Sequence, residues 1–137
     1  MRTRTKLLTL VAAAAISASA GAALAHHSFA MFDASKTVTM TGEVSEFEWI
    51  NPHVWLHIKS VDDNGADVEW SFEAGSTGQL GQTGWTRESV HPGDAIEVSF
   101  HPLKDGSNGG QLLEITTADG TNLCQGAECR DKLNATN

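Results

Sequence analysis

The sequence predicts an all-β domain: a small five-stranded Greek-key barrel of the OB type, preceded by an N-terminal arm. Three observations lead there. Apolar and polar residues alternate from Val38 to Thr116, and no long stretch carries a helical period. The strands so marked are short, and the first changes parity midway, as a bent barrel strand does. One long Gly-, Thr- and Ser-rich connection separates the third strand from the fourth. The same strands also fit an up-and-down meander or a sandwich.

The chain opens on a leader. Arg2, Arg4 and Lys6 precede an apolar run from Leu7 to Ala15, and Ala23-Leu24-Ala25 offers small residues at both cleavage positions. The run is too short for a bilayer anchor, and Thr3 separates the two arginines, which favours the general secretory route over twin-arginine export. Residues 1–25 are therefore expected to be a signal peptide, with a periplasmic or secreted product starting at His26 and no membrane span. That product has 112 residues, enough for one domain over 26–119 and a polar tail over 120–137. Cleavage removes three of the nine Lys and Arg and none of the seventeen Asp and Glu, so the formal charge falls from −8 to −11. Such a surface repels phosphate backbones, which argues against nucleic acid as a partner, and attracts cations.

In the first strand Val38, Met40, Gly42 and Val44 share one parity, after which the large residues are Phe47 and Trp49. That flip predicts a bulge near Ser45-Glu46. Asn51-Pro52 then interrupts pairing, since proline has no N–H to donate. In the second strand Val54, Leu56 and Ile58 face the core, and His53, Trp55, His57 and Lys59 face outward. In the third, Val68, Trp70 and Phe72 face inward against Glu69, Ser71 and Glu73. A two-residue Asn64-Gly65 turn would place His57 opposite Phe72, so parity rejects it. A three-residue loop Asp63-Asn64-Gly65 with left-handed Gly65 pairs Lys59 with Glu69, His57 with Ser71 and Trp55 with Glu73. Residues 75–93 make the long connection, with room for one helical turn. Ile96, Val98 and Phe100 mark the fourth strand and "LLEIT" the fifth, and from Gly120 onward the polar tail is expected to be loosely ordered. Cys124 and Cys129 are expected to form a disulfide in an exported chain, with a metal-ligand pair as the alternative.

The segments "HHSFAMFD", "VTMTGEVSEFEWINPHVWLHI", "GWTRESVHPGD" and "PLKDGS" together resemble the exported bacterial family called domain of unknown function 6152, over roughly His26 to Asp119. The resemblance implies an exported small β-domain and no particular activity. The chain departs from the family pattern in "GSTGQLGQTG", where a stronger helix former is expected, and in its cysteine-bearing tail.

Six histidines are the candidates for chemistry: His26, His27, His53, His57, His91 and His101. His91 and His101 each precede proline and fit turn chemistry. His53 and His57 form H-x3-H, which on a strand separates them by about 13 Å, too far to share one ion. A freed His26 is different, because its α-amine and ring nitrogen chelate one cation in a manner suited to copper(II). His27 and His53 would complete a nitrogen-rich site, and copper is the expected cofactor of that reading. No nucleophile elbow, phosphate loop or His-Glu-x-x-His stretch is present, so no enzyme is expected. The alternative is a module that binds a small ligand or a protein on the outer face of strands two and three, with Trp55, His57 and Glu73 as its residues. The N-terminal arm, whose Phe29, Met31 and Phe32 need burial, could cover that face.

Overall fold

The computed structural model describes residues 29–135, so the expected signal segment, His26 and His27 lie outside the described residues. The elements are β1 (Val38–Glu48), β2 (Trp55–Val61), β3 (Asp67–Glu73), α1 (Thr77–Gly81), β4 (Ala95–Pro102), β5 (Gly109–Thr117), β6 (Asn122–Cys124) and α2 (Ala127–Ala135). β1 pairs antiparallel with both β2 and β4, β4 pairs with β5, and β5 meets β3 in parallel. The ring β1-β2-β3-β5-β4 is thereby closed into the expected barrel. Closure depends on two side-chain-free positions. A Cβ on Gly109 would lie 2.3 Å from the Ser71 carbonyl oxygen, and one on Gly110 would lie 2.2 Å from that of His101. Only glycine lets the backbones approach so closely.

The predicted bulge is present: Val44 opposes Ile58 and Glu46 opposes His57, leaving Ser45 as the extra residue. The β2–β3 register is also as expected, with Lys59 opposite Glu69, His57 opposite Ser71 and Trp55 opposite Glu73. Its three-residue loop has Gly65 at φ 82°, and Asp62 on one side bonds Ala66 on the other, N to O, at 3.0 Å. Val44, Leu56, Ile58, Phe72, Val98, Phe100, Leu112 and Ile115 fill the interior, as alternation requires.

Three features differ from the sequence reading. Trp70 has the expected orientation but is only half-buried, packing on Phe72 and Phe100 from the rim. The β3–β5 ladder covers only Ser71 to Glu73, so the wall does not close beside Trp70. The largest fully buried side chain is Trp85, which belongs to the long connection with Leu80 and Val90. That connection also holds a short helix despite its glycines. Ser76 Oγ accepts from the Gln79 amide (3.2 Å) and Gln79 Oε1 accepts from the Ser76 amide (3.0 Å), a reciprocal cap that offsets poor propensity.

The tail is the third difference. Asn122–Cys124 adds to β5 as a sixth strand, and residues 127–135 are helical. The Cys124–Cys129 disulfide is formed, with Cα atoms 5.6 Å apart. The tail is ordered despite its polarity because specific hydrogen bonds and a covalent link replace apolar burial there. No helix among the described residues is long and apolar enough to cross a membrane.

Candidate functional site

The bulge at Ser45 shapes the outer surface. Without it, Glu46 and Glu48 would share the inward parity of Val44. With it, Phe47 and Trp49 pack against the core while both carboxylates turn outward. The outer face of β1, β2 and β3 is then a grid of three rows: Glu43, Lys59 and Glu69; Glu46, His57 and Ser71; Glu48, Trp55 and Glu73. Five carboxylates against one lysine give the face a strongly negative potential.

His57 sits at the centre of the grid and is bonded on both sides. Its Nε2 lies 2.9 Å from Glu48 Oε1, and its Nδ1 lies 2.8 Å from Ser71 Oγ. A carboxylate only accepts, so Nε2 carries a proton, and in the neutral ring Nδ1 accepts from the Ser71 hydroxyl. The Trp55 ring runs nearly parallel to the imidazole, at 11° and 6.3 Å between centroids. One ligand atom each from Glu46, Glu48 and His57 lies within 4.8 Å of the others.

His53 occupies the neighbouring corner, just before β2. Its Nδ1 lies 3.1 Å from the Ala74 carbonyl oxygen and 3.1 Å from Glu73 Oε1. Both are acceptors, so Nδ1 holds a proton, and in the neutral ring the lone pair is then on Nε2. Glu73 is 9% exposed, a carboxylate whose burial is offset by this imidazole. A carboxylate or carbonyl that fixes the far nitrogen of a histidine is the usual support of a metal-ligating ring.

Of the residues singled out in the sequence, His53, Trp55, His57 and Glu73 thus meet on one face, in two adjacent groups. His91 instead bonds Glu88 (2.9 Å), and His101 donates from Nδ1 to the Lys36 carbonyl (2.6 Å), both in turn-and-edge roles. Glu46 and Glu48 were missed. The parity flip at Ser45 was the signal for them, because it also decides which acidic residues turn outward. The arm does not reach this face through Phe32: that side chain is buried and its backbone bridges Leu103, while Asp33 N–H donates to the Pro102 carbonyl (2.8 Å).

Compared with known families, the chain matches the model of a family of unknown function, DUF6152, over residues 13–112. The chain belongs to the DUF6152 family. No curated protein matches it. The family match takes in the whole grid and ends within β5, so β6, the disulfide and α2 lie beyond the matched residues.

Proposed function

We propose that this protein is an exported, non-enzymatic metal-binding barrel that takes copper(II) on the outer face of β1–β3. The observation that carries the reading is the convergence of Glu46, Glu48 and His57 donor atoms within 4.8 Å. An imidazole with two carboxylates is a borderline donor set, and among divalent first-row ions copper(II) binds such sets most tightly. The chemistry is self-consistent. An ion taking the place of the Nε2 proton between His57 and Glu48 sends the ring proton to Nδ1, where Ser71 Oγ can accept it. The negative grid raises the local cation concentration and discourages polyanions such as nucleic acid.

Export supplies a second donor group on this reading. Cleavage after Ala25 frees the His26 amine beside its own imidazole, with His27 next in the chain. His53, whose neutral ring offers the Nε2 lone pair, is the barrel residue suited to join them. Intact mass of the periplasmic protein is expected to correspond to a chain starting at His26.

Copper(II) titration of that chain, read by quenching of Trp55 fluorescence, tests the site. His57→Ala is expected to weaken binding at least tenfold, about 1.4 kcal/mol. One extra alanine before His26 reports separately on the N-terminal chelate, which it should weaken by a similar factor. Unchanged affinity in both variants would transfer the face to the second reading, a small-ligand or protein platform. That reading is favoured by one observation, the half-buried Trp55 ring laid parallel to His57.

A further inference from the structure

The residues after β5 seal the place where β3 leaves the barrel wall. The β3–β5 ladder ends at Glu73 opposite Gln111, and from Glu114 to Thr116 β5 takes β6 as its partner instead. Gln125 bridges the change of partners. Its backbone N–H donates to the Leu113 carbonyl (3.0 Å), its Nε2 donates to the Leu112 carbonyl, and its Oε1 accepts the Gly75 N–H (2.8 Å). The indole Nε1–H of Trp85 donates to the Cys124 carbonyl (2.9 Å). Cys129 is the buried residue of α2, at 2% exposed, and its bond to Cys124 closes the segment on itself.

From this segment to the candidate face is a short path. The Val54 N–H donates to the Gly75 carbonyl (2.9 Å), and the Ala74 N–H donates to the Val54 carbonyl (2.8 Å). The Ala74 carbonyl accepts the His53 Nδ1–H (3.1 Å). Gly75 is therefore held by Gln125 through its nitrogen while its oxygen holds the residue next to His53.

We infer that residues 122–135 form a clasp, opened by reduction of Cys124–Cys129, that controls how firmly the His53 corner of the site is held. The bridge spans a sequence separation of only 5 residues, so removing it returns little loop entropy to the unfolded chain. Reduction should thus loosen the clasp while the barrel stays folded. The reaction partner is a dithiol protein of the exported compartment. Its thiolate attacks the Cys124 sulfur, since that residue is half-buried and Cys129 is enclosed. A mixed disulfide forms, Cys129 leaves as a thiolate and takes a proton, and the second thiol of the reductant releases Cys124. Two electrons and two protons pass to the clasp as the dithiol becomes a disulfide.

As a regulator of metal the clasp rests on the copper reading, but as a clasp it does not, and amide exchange tests it without metal. In the full chain, reduction is expected to speed exchange of the Gly75 amide and the Trp85 indole N–H at least tenfold. The Val44 amide, bonded to the Asp94 carbonyl at 2.8 Å on another part of the barrel, should change less than twofold. Cys124→Ala/Cys129→Ala should reproduce the reduced pattern. Unchanged exchange at Gly75 and Trp85, or an equal rise at Val44, overturns the proposal. Copper(II) affinity of the oxidised and reduced protein, measured alongside, is expected to differ at least threefold. Equal affinities remove the regulatory role, whereas absence of copper binding in both states sinks the metal reading and leaves the exchange result to decide the clasp.

Discussion

The β2–β3 hairpin and the C-terminal segment both border β5, and they are held in opposite ways. In the hairpin Leu56, Ile58 and Phe72 bury apolar surface, while Lys59 meets Glu69 and His57 meets Ser71 across the strands. Its order is distributed over many equivalent contacts. In the segment after β5, order is concentrated in a few groups: the Gln125 side chain, the Trp85 indole and one disulfide. A distributed arrangement yields gradually to substitution, and a concentrated one fails at single points.

Trp85→Ala is the change expected to cost most, because it opens a cavity under the long connection and also removes the donor to the Cys124 carbonyl. A loss of about 3–5 kcal/mol in denaturant unfolding is expected. A loss below about 1 kcal/mol would mean that the C-terminal segment and the connection are not anchored by this residue.

Trp70→Ala sharpens the contrast from the hairpin side. The side chain is half-buried at an open stretch of wall and rests on Phe72 and Phe100. Roughly half the burial of a large side chain is at stake, about 1–2 kcal/mol. A cost equal to that of Trp85→Ala would show that the rim is as tightly packed as the interior.

Acid gives the smallest effect and is confined to turns. Asp119 accepts from the Thr117 hydroxyl and then from the Thr121 backbone N–H, and its carboxyl is lowered from 3.8 to about 2. Asp33, bonded first by the Ser35 hydroxyl and then by Lys36, is also held at about 2. A depressed folded-state value contributes stability that is present above about pH 4 and is lost as pH falls through about 2. Asp119 is exposed and Asp33 is half-buried within a short turn, and each bonds only to near neighbours in sequence, so the loss is local. Protection of the β6 amides, taken relative to their intrinsic exchange at each pH, is expected to fall between pH 4 and pH 2, and Asp119→Ala should flatten that dependence. Identical profiles in the two proteins would remove Asp119 as the anchor of the β5–β6 turn.

Much of the site was legible in residue order alone. A parity count rejects a two-residue Asn64-Gly65 turn and thereby pairs His57 with Ser71 and Trp55 with Glu73. These follow from the two-residue period of a strand, which any register slip would invert. Glu46 and Glu48 were legible in principle from the flip at Ser45, yet their place beside His57 also needs the β1–β2 pairing. The Glu73–His53 contact and the Ala74 carbonyl that fixes the ring tautomer join residues about twenty apart through a loop, which periodicity does not reach.

Residue order by itself determined the all-β class, the bulge, the hairpin register and the close cysteine pair, because alternation, turn chemistry and short spacing are local rules. Barrel closure rests instead on the distant β1–β4 and β3–β5 pairings. Tertiary structure alone decided that Trp85 is interior, that Trp70 lies at a gap in the wall, and that a polar tail completes the sheet. Each of these depends on which distant backbone offers an acceptor or a surface. A Gly-rich connection or a polar terminus carries no periodic record of such a partner.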